Sequence, residues 1–592
     1  MAVRVDPPAW TTGEDTPLLR EQTRSEDGDD ETSSTLRQTD EEELIDPNKA
    51  NQQVGRGRGL LIILSVWGLI FLQASNMSGI TTTQSKIAED LDAFASASWF
   101  TSAYLISMSS TAPLAARLAQ IFSPRNCIFI ASLFFSLGGI VTSQAPDLKV
   151  FLLGRAISGI GGAGIMTISF ILVLELAGTK RRGLFIGLVN TGFTTGVSLG
   201  AIVAGALLDV KGWRFLFWIQ SPIAVLAGIG IFFSIPKSFT SGHKGDEQQS
   251  ISAKLAKIDY LGAITLTSSL CLFLFGLSSA KILWLPIGIS LLILGAFIFT
   301  ELNIAAEPII PITVLKSRGA LLSCFAQLGI MAARWMVLFY TPTYAIAVLS
   351  WSPASAGSIL IPTNLGFAIG GVLAGWLHIK RAGSFWLASI ISYLFFALTL
   401  LLLSQISTQS TPPPLYFLTV FINGLSTGAA LNYTLAHLLH LTPPSTHFIS
   451  TSLLSTFRGF AGSFGSAIGG GLFVRVLKGS LERGFEEHGG LEGRMDLVTR
   501  LLGGPALVKS LKGVEREVAV RGYVTALRTL FIAGVGLALV MATVQGLTGW
   551  KKGAEETGKV AVEDEDEDER NVAGSGRGVE DEEWEEGMEQ GV

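Results

Sequence analysis

The chain is 592 residues long, 48% hydrophobic and only 15% charged, with a formal net charge of −5. Soluble proteins carry about 25% charged residues, so a water-soluble fold is excluded for the chain as a whole. The negative charge gathers at the two ends, where it describes solvated tails and says little about partners.

Residues 1–57 are polar and acidic and read as a disordered cytosolic tail without the apolar core of a cleavable signal peptide. In this tail Glu14, Leu18 and Leu19 form Glu-x-x-x-Leu-Leu, which resembles an adaptor-binding sorting signal of vacuolar and lysosomal membrane proteins. Fourteen apolar stretches follow, near 59–80, 97–119, 127–145, 150–174, 183–207, 215–235, 260–279, 283–301, 319–341, 355–377, 384–404, 415–437, 448–474 and 525–547. Each approaches the roughly 20 residues that a helix needs to cross a bilayer. The stretch between 478 and 523 is mixed in charge and reads as a long outer loop. Residues 549–592 form a second acidic tail, with an unbroken acidic run from Glu563 to Glu569. Cys127, Cys271 and Cys324 lie in or beside apolar stretches, which argues against a disulfide framework.

Lysine and arginine set the orientation. With the N-terminus cytosolic, the inner loops hold Arg117, Arg125, Lys180, Arg181, Arg182, Lys316, Arg318, Lys380 and Arg381. The short outer loops hold only Lys86, Lys149, Lys211, Arg214 and Lys281. Both termini are therefore expected in the cytosol.

The fourth stretch contains Arg155 followed by Ser158, Gly159, Gly161, Gly162 and Gly164. An arginine at a helix centre costs about 2.5–3.5 kcal/mol on insertion scales, so it is rarely idle. The small residues let neighbouring helices approach closely. Counting 1.5 Å per residue, Asn76 of the first stretch and Arg155 fall in the same outer third of the bilayer. Arg334 and Arg458 are also intramembrane, whereas no Asp or Glu lies well inside a span. Such an interior disfavours cationic solutes and favours neutral or anionic ones. Glu175, at the cytosolic end of the fourth stretch, is the candidate proton-coupling carboxylate; the alternative is a loop charge pairing with Lys180 or Arg182. Trp335, Tyr340, Tyr344 and Tyr433 are candidate cavity linings, or else interfacial anchors. His437, His440 and His447 lack the spacing of a metal site on one helix face, so no metal is expected.

A weak internal echo links Pro113–Ser123 with Leu373–Gly383: each has small residues, a leucine and then basic residues at a cytosolic helix end. At these residues the chain resembles the major facilitator superfamily, in its fourteen-span drug:proton antiporter branch, common in fungi. The segment with Arg117 and Gln120 is similar to that family's Gly-x-Leu-x-Asp-x-x-Gly-Arg-Lys loop. Arg155 with Gly159, Gly161 and Gly162 resembles its fourth-span motif, and Gly196, Gly200 and Gly205 resemble its span-five antiporter motif. Trp213–Pro222 and Phe457-Arg458-Gly459 continue the pattern. Departures are Ala116, Gln120 and Ser123 in the loop motif, Ala201 where proline is usual, and Asn76 where the first-span pattern has a carboxylate.

The resemblance implies an all-α polytopic membrane protein with the major facilitator fold and 14 transmembrane helices. Its parts would be an N-terminal six-helix half at 58–235, a linker with two extra helices at 236–301, and a C-terminal six-helix half at 302–548. It implies secondary active transport by alternating access, as proton-coupled efflux of drugs, toxins or secondary metabolites, in a vacuolar or plasma membrane. Asn76, Arg155, Glu175, Arg334, Tyr344 and Arg458 would line the substrate and proton pathway. Arg117, Gln120 and the motif glycines would serve gating and packing. The expected partners are a small-molecule substrate, protons, the lipid bilayer and adaptor proteins at the dileucine; no cofactor and no nucleic acid are expected. The chain has no phosphate-binding Gly-x-x-x-x-Gly-Lys-[Ser/Thr] loop and no nucleophile, base or metal constellation, so an enzyme is not expected. The rival readings are a vacuolar transporter of basic amino acids and a membrane receptor that senses a solute without moving it.

Overall fold

All fourteen apolar stretches fall on helices. The computed structural model describes residues 56–176, 182–235, 259–278, 282–305, 317–379, 384–443, 447–488 and 490–550. Both acidic tails, the dileucine at Glu14, Leu18 and Leu19, the basic run Lys180–Arg181 and most of the 236–258 linker lie outside these residues, as do the side chains of Gln120 and Glu175.

The helices are α1 (Arg56–Asp90), α2 (Trp99–Ile121), α3 (Pro124–Ser143) and α4 (Leu148–Leu176). The run Arg182–Ser234 breaks at Gly212, whose φ of 76° belongs to the left-handed region, and so forms α5 (182–211) and α6 (213–234). Next come α7 (Tyr260–Ser278), α8 (Trp284–Asn303) and α9 (Arg318–Ala347). α10 is composite: Pro353–Gly357, Leu360–Val372 and a π-helical turn, Leu373–His378. The remainder are α11 (Trp386–Ile406), α12 (Pro413–Leu441), α13 (His447–Glu487), the short α14 (Met495–Gly503) and α15 (Gly513–Gly546). Starts are marked locally. Pro124 and Pro413 occupy first-turn positions where a missing N–H costs nothing, and Ser352 caps α10 by accepting from Ser355 N at 3.2 Å.

Twelve helical segments among the described residues are long and apolar enough to cross a membrane, and one of them, Val189–Ser234, contains the break. Their outer surfaces are apolar: Leu292 is 76% exposed, Trp376 74% and Phe233 72%. In water such a surface would aggregate; in lipid it is the solvated face. α2 falls outside the twelve because Thr101, Ser102, Ser109 and Ser110 dilute its apolarity, and these hydroxyl residues are buried.

Helices α1–α6 pack together, and so do α9–α13 with α15. α7 lies against α2 and α13, bonded through Thr267 Oγ1 to Ser110 O (3.0 Å) and reached by Arg475 Nη1 at Leu277 O (3.3 Å). The extra pair α7–α8 therefore covers one seam between the halves. Connections at one end of the bundle, here called the far end, are tied by specific bonds. Trp213 Nε1 donates to Asp90 Oδ2 (2.8 Å), Arg214 Nη1 to Ala145 O (2.7 Å), and Tyr344 Oη to Thr408 O (2.8 Å).

The stretch 478–523 departs from the expected loop. α13 continues to Glu487, α14 spans Met495–Gly503, and α15 begins at Gly513. The cause is a stripe at four-residue spacing, Phe473, Leu477, Leu481 and Phe485, buried in the same cluster as Val518, Ala519 and Tyr523 of α15. Charged residues on the opposite faces hide this amphipathic pattern in a hydropathy reading.

Candidate solute path between the two halves

Within the first half, α4 is packed on two sides through glycine. A Cβ at Gly159 would strike the backbone at Tyr104 on α2, and one at Gly161 would strike Phe135 on α3. This close approach brings Arg155, 0% exposed, against the middle of α1 and the start of α2. Its Nε donates to Phe100 O at 2.9 Å, and its Nη1 donates to Asn76 Oδ1. Asn76 Nδ2 in turn donates to Gln220 Oε1 at 2.8 Å. The guanidinium lies 4.5 Å from the centre of the Tyr104 ring and 5.6 Å from that of Phe217. Among the described side chains no carboxylate bonds it; its charge is held by an amide, a carbonyl and two ring faces.

A second polar group joins the halves. Arg334 of α9 is 2% exposed and donates to Asn364 Oδ1 (2.9 Å) and Thr363 Oγ1 (3.4 Å) on α10. Asn364 Nδ2 crosses to Ser198 Oγ of α5 at 2.9 Å. Two turns earlier on α5, Asn190 Oδ1 accepts from Arg458 Nη2 of α13 at 3.1 Å. Aromatic rings flank this face: Phe367 is 4.6 Å from the Arg334 guanidinium, and Phe193 meets Trp335 edge-on with centroids 6.2 Å apart.

Toward the far end the halves meet along hydroxyls. Ser102 of α2 faces Ser466 of α13 at 3.2 Å, Ser109 faces Ser463, and Ser463 Oγ donates to Leu105 O at 2.6 Å. α5 meets α10 at Gly205, where a Cβ would come within 2.6 Å of the Pro353 backbone. Beside the Ser102–Ser466 contact lies a small cavity of about 40 Å³ bordered by Thr81, Gln84, Thr101, Tyr340, Ser466 and Pro505. Its far mouth is crossed by α14 and residues 505–510. Gln84 Nε2 donates to Gly503 O (3.4 Å) and Ala506 N to Ser85 Oγ (3.3 Å), so a segment attached to the second half rests on the first.

The sequence-derived candidates divide by place. Asn76 and Arg155 are in contact; Arg334 and Arg458 stand at the junction of the halves. Tyr344 is in neither group: fully buried, it stacks on Tyr416 with centroids 4.4 Å apart. Tyr340 borders the cavity, while Tyr433 bonds His378 at 2.9 Å near the opposite end. Arg117 sits in the last turns of α2 and is partly buried. Gly196 and Gly200 press against Phe71 and Ser75 of α1, with Ser75 Oγ donating to Gly196 O at 3.1 Å, and Gly162 adjoins the Tyr104 hydroxyl. Glu175 lies on the last turn of α4. Among the described residues no group of His, Cys, Asp and Glu is placed to hold a metal. Sequence reasoning passed over Asn190, Ser198, Gln220 and Asn364. The signal was available, since each is a polar residue inside a membrane-spanning stretch, three of them amides beside a hydroxyl residue (Asn190–Thr191, Gln220–Ser221, Thr363–Asn364).

The family model for the Major Facilitator Superfamily matches residues 66–473. The multidrug resistance protein fnx1 of Schizosaccharomyces pombe is 25% identical over 79% of this chain and 88% of its own length. The vacuolar membrane amino acid uptake transporter fnx2 of the same yeast is 27% identical, over 69% of this chain and 71% of its own. The efflux pump FUS6 of Gibberella fujikuroi is 27% identical over 72% and 77%. Among solved structures, a bacterial homolog of the human lysosomal transporter Spinster, inward-facing and unoccupied, aligns with a TM-score of 0.56 at 14% identity, over 83% of this chain and 97% of that one.

Proposed function

The chain belongs to the Major Facilitator Superfamily, and from that premise we propose that it exports small organic molecules, driven by a proton gradient. The observation that carries this reading is how the halves meet: single polar contacts, Ser102 to Ser466, Asn364 to Ser198 and Arg458 to Asn190, with a small cavity bordered by Ser466. The neutral bonds contribute only about 0.5–1.5 kcal/mol net each and the Arg458–Asn190 bond about 1.5–3 kcal/mol, so the halves can separate at modest cost. Within a half, backbone-to-backbone glycine contacts recur along the helices, while across the halves α5 and α10 meet this way at Gly205 and Gly357. Alternating access requires rigid halves and an interface that opens.

In this reading the chain crosses the membrane fourteen times, with both termini in the cytosol, in a vacuolar or plasma membrane. Glu14, Leu18 and Leu19 would bind adaptor proteins. The export direction and the breadth of substrate come from fnx1 and FUS6 by their names. Asn76 has no titratable proton, so the Arg155 site positions helices and does not carry protons. That role is given to Glu175, with Arg117 and Gln120 at the cytosolic gate. Vacuolar uptake of amino acids, after fnx2, is the second reading. A basic amino acid would meet Arg334 and Arg458 with no carboxylate between them among the described side chains, which weighs against it.

The test is flux in reconstituted vesicles of the full chain, with and without an imposed pH gradient, for the wild type and Glu175→Gln. A gradient is expected to accelerate export about tenfold, equivalent to 1.4 kcal/mol, and Glu175→Gln to abolish the acceleration. Gradient-independent flux in the wild type would refute proton coupling.

A further inference from the structure

We propose that Arg334 and Arg458 form an anion-recognising site on the solute path, and that its solute is an amphipathic organic anion, an aromatic body carrying a carboxylate. The proposal rests on the export reading and names the substrate class of that path.

Both guanidinium groups sit inside the bundle, and the bonds that the structure gives them run to neutral oxygens: Thr363 and Asn364 for Arg334, Asn190 for Arg458. A cation withdrawn from water and offered only amide and hydroxyl oxygens keeps an unspent attraction for an anion. Carboxylate is the better partner, because a charge-assisted hydrogen bond is about twice as strong as a neutral one and a guanidinium fork fits two oxygens at once.

The position of the neutral oxygens matters as much as their charge. Asn190 belongs to the first half and Arg458 to the second; Asn364, steadied by Arg334, reaches Ser198 of the first half. Asn190 and Ser198 are eight residues apart on α5, about 12 Å along one helix face. A solute entering between α5 and the α9–α10–α13 group therefore meets both guanidiniums, and its carboxylate replaces Asn190 as the acceptor for Arg458. That replacement breaks a tie between the halves, so occupancy and opening are linked through one side chain.

The apolar part of the solute is specified by what stands beside the arginines. Phe193 lies on α5 between Asn190 and Ser198, meets Trp335 edge-on, and is accompanied by Phe367 over Arg334. Aromatic faces recognise a flat apolar body. Arg155 does not compete for this role, since Asn76, Phe100, Tyr104 and Phe217 enclose it completely.

Equilibrium binding to the purified full chain in neutral detergent, read by titration calorimetry, tests the site. The probes are 2-naphthoate, its uncharged isostere 2-naphthamide, and inorganic phosphate. Naphthoate is expected to bind at least about tenfold more tightly than naphthamide or phosphate. Arg458→Gln and Arg334→Gln should each weaken naphthoate about tenfold and leave naphthamide unchanged. Asn190→Ala, which removes the competing acceptor, should tighten naphthoate several-fold. Should either glutamine variant not purify as a monodisperse species, the corresponding lysine variant replaces it, with charge kept, the fork lost and binding expected between the extremes.

Equal binding of acid and amide, phosphate binding as tight as naphthoate, or glutamine variants that bind naphthoate like wild type would each overturn the proposal. Because no gradient enters the measurement, its outcome is separable from the export reading. A chain that binds naphthoate as described yet shows gradient-independent flux loses proton-driven export alone. One that exports with the gradient yet does not distinguish acid from amide loses the anion site alone.

Discussion

Arg155 and Asn76 were legible in the sequence as a charge and an amide at matching depth, and they are in contact. The third member, Gln220, was not identified, because a single glutamine in an apolar run gives no hint of which helix it faces. The trio's part in stability is measurable. Asn76→Ala leaves a buried guanidinium and Gln220 each short of a partner, which costs about 1–3 kcal/mol per unsatisfied group. Arg155→Met also leaves acceptors short of a donor, at Asn76 Oδ1 and Phe100 O, but it removes the buried charge and its desolvation cost, which offsets part of that loss. Thermal unfolding in detergent should therefore place Asn76→Ala lowest and Arg155→Met between it and wild type, with vesicle flux reduced in step with each loss of helix positioning. A Tm for Arg155→Met lower than that of Asn76→Ala would contradict this account of the site.

Helices were legible from hydropathy because lipid-facing surfaces are uniformly apolar, and every predicted stretch lies on one. What hydropathy could not show was the continuation of α13 past residue 478, where the stripe of Phe473, Leu477, Leu481 and Phe485 alternates with charge. It also could not tell packing glycines from idle ones. The structure separates them: a Cβ at Gly161 would collide with the backbone of α3, whereas one at Gly288 on α8 would have nothing within 4 Å. Gly161→Ala should destabilise by about 1–3 kcal/mol through overpacking. Gly288→Ala, a change favoured by helix propensity, should be neutral or stabilise by up to about 1 kcal/mol. Unfolding midpoints of the two purified variants check the pair, and equal midpoints would show that α3 and α4 can part without strain.

For the molecule as a whole, two halves and an extra pair were foreseeable from the family resemblance. The crossing of α14 from one half onto the other was not, because its contacts run through backbone groups of Gly503 and Ala506, which leave no trace in side-chain identity. If opening of the far mouth requires this segment to leave α1, tethering it should stop turnover. Ser85→Cys with Ala506→Cys places two thiols at a contact whose N···O distance is 3.3 Å. Cys127, Cys271 and Cys324 are free and stand elsewhere in the bundle. Oxidation of the double variant should abolish flux, reduction should restore it, and either single variant should be indifferent to both. Undiminished flux in the cross-linked protein would mean that the solute leaves by another route.

The crossing segment also determines how the protein meets molecules that never enter the bilayer. Met495–Ser510 lies over the cavity mouth and is tied to the first half by two hydrogen bonds. An antibody fragment gripping it together with the 94–96 turn would hold the mouth shut from the aqueous side. Inhibition would then need no competition with the cargo and no passage through lipid.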